Sequence, residues 1–224
     1  MANLKLTLAC WDYDRTRALI DGRVKPAGID LEVEVLRPRQ TFQRMLDNKE
    51  FEVSELSLRL DFLSGGQTLE RMFAAGELDA LLSLYIPKLF HERSATIARL
   101  FPNYKDVERD YYRRTRILPI MHTVVLREDV HRAHPWAARS IYRAFVQARD
   151  LALDGLYDTD ALRIALPWLI DHVEEARRVF GEDFWAYGLE PNRPAFEAIG
   201  RYVHEQGLSP RVVRADELFV PGVE

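Results

Sequence analysis

The sequence is poor in cysteine and has no long apolar run. Cys10 is the only cysteine in 224 residues, which excludes an intramolecular disulfide and zinc sites built on cysteine pairs, and which fits a reducing compartment. No stretch approaches the roughly 18 apolar residues of a membrane span. Charges at Lys5 and from Asp12 onward interrupt the N-terminal apolar run, so it is typical of a strand and not of a signal peptide. We therefore expect a soluble, cytoplasmic protein with no membrane partner.

Charge of one sign is not concentrated anywhere. The 31 basic and 35 acidic residues alternate along the chain and leave a net charge of −4, so no basic block is present to follow a phosphate backbone. Nucleic acid is excluded as an expected partner. The hydrophobic share of 47% is enough for one large domain or two small ones.

Sequence motifs for cofactors and hydrolysis are also missing. The chain contains no GxGxxG, P-loop, GxSxG or HExxH motif, so nucleotide cofactors and serine or zinc hydrolysis have no support. His131 and His134 lie three residues apart beside Glu128 and Asp129, but no third ligand follows at a known spacing. We predict a solvated loop there, and neither a metal nor another cofactor.

Hydrophobic periodicity predicts an α/β layer in the first quarter of the chain. Alternation of apolar and polar residues is typical of strands, and apolar residues three or four apart are typical of helices. The predicted order is strand 4–10, helix 13–22, strand 29–36, helix 39–47 and strand 51–58. This β-α-β-α-β order favours a parallel sheet.

The middle of the chain breaks this pattern, and the last part is almost wholly helical. Gly65 and Gly66 form the only Gly-Gly pair, which marks a loop or joint. The predicted elements beyond it are a helix over 68–75, a strand over 78–82, a helix over 104–114, a long strand over 119–129, and helices over 135–154, 158–166, 170–180 and 191–206. The apolar stripe predicted for the longest helix consists of Ile141, Ala144, Phe145, Ala148 and Leu151.

Several long irregular strings have no simple explanation in composition. They are WDYDRTRALIDGRVKPAGIDL (11–31), EFEVSELSL (50–58), GELDALLS (76–83), ERDYYRRTRILPIMHTVVLRED (108–129), EDFWAYGLEPNRPAFEA (182–198) and YVHEQGLSPR (202–211). Together they resemble the 4,5-dihydroxyphthalate decarboxylase family. The resemblance implies a type 2 solute-binding fold, in which two α/β lobes joined by crossing strands hold a ligand in the cleft. It also implies decarboxylation of a dihydroxylated phthalate-like acid, so the expected partner is a small aromatic carboxylate.

The chain departs from the family by lacking most of the second lobe. After Leu58 it passes through Gly65 and Gly66 almost directly to the helix that ordinarily closes that lobe. We therefore expect a mixed, mainly parallel sheet flanked by helices, in which residues 1–62 and 119–224 form lobe one and residues 63–118 are a linker and a remnant of lobe two. Surfaces exposed by such a deletion favour self-association, so a homo-oligomer is expected. A non-catalytic module that binds small carboxylates, or an inactive scaffold, is the alternative.

His122 is the candidate proton donor. Decarboxylation of a hydroxylated aromatic acid needs groups that hold the carboxylate and an acid that protonates the ring carbon. His122 is predicted in the middle of an apolar strand, and its ordinary pKa near 6.5 suits proton transfer. The alternative is a core histidine that is hydrogen-bonded to backbone.

The candidate carboxylate-binding groups precede that strand. A cationic and aromatic cluster is formed by Arg113 and Arg114 with Tyr111 and Tyr112. It is suited to bind a carboxylate through bidentate hydrogen bonds, with an aromatic ring stacked above. Adjacent arginines on a helix point about 100° apart, so one of them is expected to face solvent. The alternative is a solvated helix end whose arginines offset the helix dipole.

Further candidates lie where predicted strands end, the edge at which open α/β folds bind ligands. Asp12 is a catalytic candidate and Arg15 a substrate-binding one, while Asp14 is predicted to be the N-cap of the first helix. After the third strand, the substrate-binding candidates are Ser54, Glu55 and Ser57, of which alternation allows at most two on one face. Four residues of the string at 182–198 are predicted to serve packing: Trp185, Tyr187, Asn192 and Arg193.

Overall fold

The strands of the described residues form one four-stranded mixed sheet. The computed structural model describes residues 2–56, 68–81 and 86–223. Its strands are β1 (Leu4–Cys10), β2 (Ile29–Val35), β3 (Val53–Leu56) and β4 (Thr123–Leu126). They lie in the order β2-β1-β3-β4, with β1 to β3 parallel and β4 antiparallel to β3. The prediction of an α/β protein with a mixed, mainly parallel sheet is confirmed.

Helices follow the strands and fill most of the C-terminal half. Their bounds are α1 (Asp14–Ile20), α2 (Pro38–Asn48), α3 (Leu69–Ala74), α4 (Lys88–His91), α5 (Tyr104–Thr115), α6 (Glu128–Ala133), α7 (Trp136–Asp154), α8 (Leu169–Phe180) and α9 (Leu189–Glu205), with short 3-10 turns at Gly155–Tyr157 and Ala215–Glu217. None of the helices in the described part of the chain combines the length and the apolar character needed to cross a membrane.

The core lies between one face of the sheet and helices α1 and α7. Alternate residues of β1 project to this face, so Leu6, Leu8 and Cys10 are buried together with Val53 of β3. Helix α7 contributes the stripe Ile141, Ala144, Phe145 and Ala148, as its spacing predicts. Leu151, the fifth residue of the predicted stripe, is exposed, so the prediction is wrong for this residue. Helix α2 packs against β1 and β3.

Strand β4 places residues from the first and second halves of the chain in one sheet, as predicted. Leu126 pairs with Val53 and Thr123 pairs with Leu56, so a strand from the second half of the chain completes a sheet begun by the first sixty residues. The predicted length of this strand is wrong, however. It spans Thr123–Leu126, and residues 128 and 129 at the end of the predicted strand begin a helix instead.

Three other predicted elements differ in the structure. Residues 78–81 have no strand. Residues 158–166 have no helix, because the Asp158 carboxylate accepts hydrogen bonds from the backbone N–H groups of Asp160 and Ala161 and forms a turn. The loop predicted around His131 is the short helix α6, which begins with two acidic residues that interact favourably with its N-terminal dipole.

The chain divides into two compact units. The first consists of residues 1–57 and 111–224, and the second of residues 58–110. Within the second unit, the Arg99 guanidinium lies over the rings of Phe90 and Tyr104, and Glu70 accepts a hydrogen bond from the backbone N–H of Lys88. The interpretation of this unit as a remnant of a second lobe, with boundaries at 62/63 and 118/119, stays a prediction.

Candidate functional site

The turn between β1 and α1 places Arg15 at the carboxyl edge of the sheet. The buried hydroxyl of Thr16 donates to the Trp11 carbonyl at 2.9 Å and accepts from the Tyr13 N–H at 3.0 Å, which fixes the turn. Tyr13 is the N-cap residue of α1. The prediction of Asp14 as the cap is therefore wrong: Asp14 is the first helical residue, and its carboxylate accepts from the Arg15 N–H at 2.8 Å.

Arg15 lies between two aromatic rings. Its guanidinium carbon is 4.0 Å from the centroid of the Tyr13 ring and 5.4 Å from that of Trp185. The Asp14 carboxylate is 3.6 Å away, and the side chain of Arg15 is 21% exposed. Both rings attract the cation through their π faces, so they limit its freedom while part of the guanidinium stays accessible to a ligand.

His122 lies at the same edge. It directly precedes β4 and is not in the middle of a strand, because the sheet pairing of β4 begins only at Thr123. Its ring centroid is 6.3 Å from that of Tyr13, and its Nδ1 is buried. Burial, followed by the positive charge of Arg15, lowers the pKa of His122 below its ordinary value. The imidazole is therefore mainly neutral at pH 7.

Tyr187 and Trp185 complete the site from the segment between α8 and α9. Tyr187 packs against the core, and burial raises the pKa of its phenol although Arg15 and Arg149 oppose that shift. Tyr13, Arg15, His122, Trp185 and Tyr187 are called the edge cluster below, and all five lie in the first unit. The sequence predicted packing for Trp185 and Tyr187. The signal that could have indicated more is the pair of aromatic residues between two glycines, Gly181 and Gly188.

Asp12, the second catalytic candidate, is part of a surface ion pair. Both of its carboxylate oxygens accept from the Arg17 guanidinium at 3.0 Å, and this pairing raises the pKa of Arg17. Asp12 and Arg15 are close in sequence, yet Asp12 faces Arg17 on the exposed side of α1. The charge of this carboxylate is therefore already offset by a partner outside the edge cluster.

The candidates on α5 lie in a different setting. Arg113 and Arg114 are exposed. The hydroxyl of Tyr112 donates to the Phe180 carbonyl at 3.2 Å, and the two rings meet edge to face with centroids 4.8 Å apart. Tyr112 thus packs α5 against the end of α8.

The candidates on β3 are separated from the edge cluster or not described. Ser54 is completely buried and pairs with Ala9 and Val125, on the face opposite the buried Leu8 and Val53. A ligand cannot reach it in this conformation. The backbone of Glu55 pairs with Val124, and Ser57 lies outside the described residues.

The described residues contain no group of three or more histidine, cysteine or carboxylate side chains placed to hold a metal ion. His131 lies in α6 and His134 is the C-cap residue of that helix, where the His134 ring lies near Trp136 with centroids 6.3 Å apart.

Comparison with known proteins gives one relationship to report. No family model matches the chain. The chain is 33% identical over 156 residues to the 4,5-dihydroxyphthalate decarboxylase of Comamonas testosteroni, and the match covers 70% of this chain and 47% of that enzyme. The chain thus spans about half the length of the curated relative that it matches. This identity supports a distant relationship to a decarboxylase.

Proposed function

We propose that the chain is a decarboxylase-family protein that acts on 4,5-dihydroxyphthalate or a similar hydroxylated aromatic dicarboxylate. The distant relationship to a protein of that name supports the reaction class. The mainly parallel sheet with helices supports the idea that residues 1–62 and 119–224 form one lobe of a type 2 solute-binding fold, and the first compact unit has bounds close to these.

The observation that carries the proposal is the guanidinium of Arg15, held between Tyr13 and Trp185 beside His122. Open α/β folds bind ligands at the carboxyl ends of their parallel strands, and Arg15 follows β1 at that edge. A guanidinium binds a carboxylate through two parallel hydrogen bonds. In this proposal Arg15 holds one carboxylate of the substrate, and the neighbouring rings accommodate its planar ring by stacking.

His122 supplies the proton in the proposed reaction. The protonated imidazole donates to the ring carbon that bears the departing carboxylate. The bond between that carbon and the carboxylate then breaks, carbon dioxide leaves, and its bonding electrons restore the aromatic ring. His122 is left neutral and regains a proton from solvent. A bound dicarboxylate offsets the charge of Arg15 and raises the pKa of His122, so that substrate binding itself prepares the acid.

The second candidate function is a non-catalytic module that binds small aromatic carboxylates. Two observations favour it: the chain spans about half of its relative, and the pKa of His122 is lowered, so the free protein holds little of the acid form at pH 7. Binding requires Arg15 and the aromatic rings but no proton donor.

Incubation with 4,5-dihydroxyphthalate, followed by chromatographic detection of dihydroxybenzoate and by calorimetric titration, separates the two functions. Turnover supports the decarboxylase, and binding without turnover supports the module. If the protein shows neither turnover nor binding, both functions are contradicted. Arg17→Ala is the matched control for Arg15→Ala, because both arginines lie on α1 but Arg17 is paired with Asp12. The homo-oligomer expected from the sequence stays a prediction, which light scattering over a dilution series tests.

A further inference from the structure

The segment that carries Trp185 and Tyr187 is bounded by two glycines with unusual backbone angles. Gly181 has φ 98° and ψ 175°, and Gly188 has φ 104° and ψ 169°. Residues with a side chain rarely adopt these angles. Both ends of residues 181–188 therefore favour glycine, and the path between the two glycines must be fixed by other contacts.

Side chains from two helices bond four consecutive carbonyls of this segment. Asn192 of α9 donates through Nδ2 to the carbonyls of Ala186 and Gly188, both at 2.9 Å. Arg149 of α7 donates to the Trp185 carbonyl at 3.3 Å, and the Tyr142 hydroxyl to that of Tyr187 at 3.5 Å. Residues 185–188 thus have a defined conformation without belonging to a helix or strand.

Arg149 holds the segment through more than one contact. Its guanidinium lies 5.2 Å from the centroid of the Tyr187 ring and 3.3 Å from the Asp183 carboxylate, and it pairs with Asp150 at 2.7 Å. The residue is only 9% exposed. A buried cation costs free energy unless its partners compensate for lost hydration. Here several of the compensating groups belong to the segment itself, so the burial of Arg149 and the path of the segment depend on each other.

We propose that Asn192 and Arg149 are positioning residues, which set the place of the Trp185 ring over Arg15 and thereby the aromatic wall of the ligand site. This inference rests on the proposed function for its ligand. Asn192 acts through the backbone of the segment and not through contact with the substrate. Its amide satisfies two carbonyls on either side of Tyr187, which sends the side chains of Trp185 and Tyr187 in fixed directions.

Calorimetric titration of 4,5-dihydroxyphthalate into Asn192→Ala, Trp185→Ala and the double variant tests the proposal. Asn192→Ala loses two hydrogen bonds to the segment and is expected to bind more weakly, by no more than the loss of about 3- to 10-fold expected for Trp185→Ala. If Asn192 acts by positioning Trp185, the double variant binds no more weakly than Trp185→Ala alone. Additive losses, or full affinity in Asn192→Ala, overturn the proposal. Asn3→Ala is the matched control, because it removes an exposed amide hydrogen bond to Asp30 elsewhere in the first unit and is expected to bind normally.

A measurement without ligand separates this inference from failure of the proposed function. The contribution of Trp185 to the near-ultraviolet circular dichroism is obtained by subtracting the spectrum of the Trp185→Phe variant from the spectrum of the protein that retains Trp185. This signal is expected to shrink strongly in the Asn192→Ala background and to stay unchanged in the Asn3→Ala background. If the native protein binds no phthalate, the proposed function fails, and an unchanged Trp185 signal in Asn192→Ala would then overturn the positioning role as well. Asn192→Asp, which keeps the shape but loses the donor, is expected to behave like Asn192→Ala.

Discussion

Arginines lie beside aromatic residues in the edge cluster and on α5, and these two places differ in how the cation is held. In the edge cluster, Arg15 lies between the rings of Tyr13 and Trp185 and is mostly buried. On α5, Arg113 and Arg114 are exposed, while the neighbouring Tyr112 ring packs against Phe180. The same residue types thus form a candidate site where a strand ends and a helix begins, but a solvated helix surface where they are merely adjacent in sequence. Tertiary contacts from a distant segment make the difference.

The largest effect is expected on turnover, and it concerns His122 of the edge cluster. His122→Gln removes the proposed proton donor but keeps a polar side chain of similar reach. Turnover of 4,5-dihydroxyphthalate is expected to fall about 100- to 10,000-fold, with affinity changed far less, as product formation and titration will measure. Equal losses of affinity and thermal stability would mark His122 as a core residue.

Removal of Arg15 is expected to have the next largest effect. Arg15→Ala deletes the charge that holds the carboxylate, and a hydrogen bond to a charged group contributes about 1.5–3 kcal/mol. Affinity for the dicarboxylate is therefore expected to fall about 10- to 100-fold by calorimetry. The control Arg17→Ala is expected to keep native affinity, and a comparable loss in that control would show that the effect comes from net charge alone.

The dependence of turnover on pH tests the lowered pKa of His122. If the protonated imidazole is the acid, kcat/KM rises as pH falls toward that pKa, which lies below 6.5 in the free protein, and decreases about tenfold per pH unit above it. The apparent pKa in kcat is expected to be higher, because the bound dicarboxylate stabilises the charged imidazole. A flat profile between pH 5 and 8, or one unchanged in His122→Gln, would assign the proton to another group.

Loss of the Trp185 ring is expected to have a smaller effect. Trp185→Ala removes one of the two rings that flank Arg15, and such aromatic contacts contribute about 0.5–1.5 kcal/mol beyond area burial. We expect affinity to fall about 3- to 10-fold. The decrease should be similar for phthalate and 4,5-dihydroxyphthalate, because stacking does not distinguish the hydroxyl groups. A loss confined to the dihydroxylated compound would instead assign Trp185 to hydroxyl recognition.

The smallest effect is expected on α5. Arg113→Ala and Arg114→Ala alter exposed charges, which contribute little to stability or to binding at a distance. Affinity for 4,5-dihydroxyphthalate is expected to change less than about twofold by calorimetry. A tenfold loss in either variant would move the ligand site to α5 and would reverse the comparison between the two places.

The sequence predicted the sheet better than it predicted the site. Period-two alternation indicated β1 and β2 correctly, and the two strands pair with each other along their length. The extent of β4 could not be predicted, since it depends on the four residues of β3 that pair with it. In the same way, Asp12 is polar and lies close to the strand end, but its ion pair with Arg17 could not be predicted from the local sequence.

The candidate site was predicted only in part for the same physical reason. Arg15 and His122 were identified from strand ends and from chemistry. The sequence predicts packing for Trp185 and Tyr187, and Tyr187 does pack against the core. Their place beside Arg15 could not be predicted, because it depends on hydrogen bonds from Arg149 and Asn192 of two helices. Contacts of this kind join residues far apart in the chain and leave no periodic signal.

Strand β2 forms one end of the described sheet, and its sequence affects what can join it there. Asp30, Glu32 and Glu34 alternate along this strand, so all three carboxylates project from one side. A second copy that extended the sheet at β2 would bring like charges together across the new strand pair. Such repulsion protects an open sheet edge against aggregation, and it weakens as added salt shortens the screening length. Fibrous association through β2 is therefore expected to need high ionic strength.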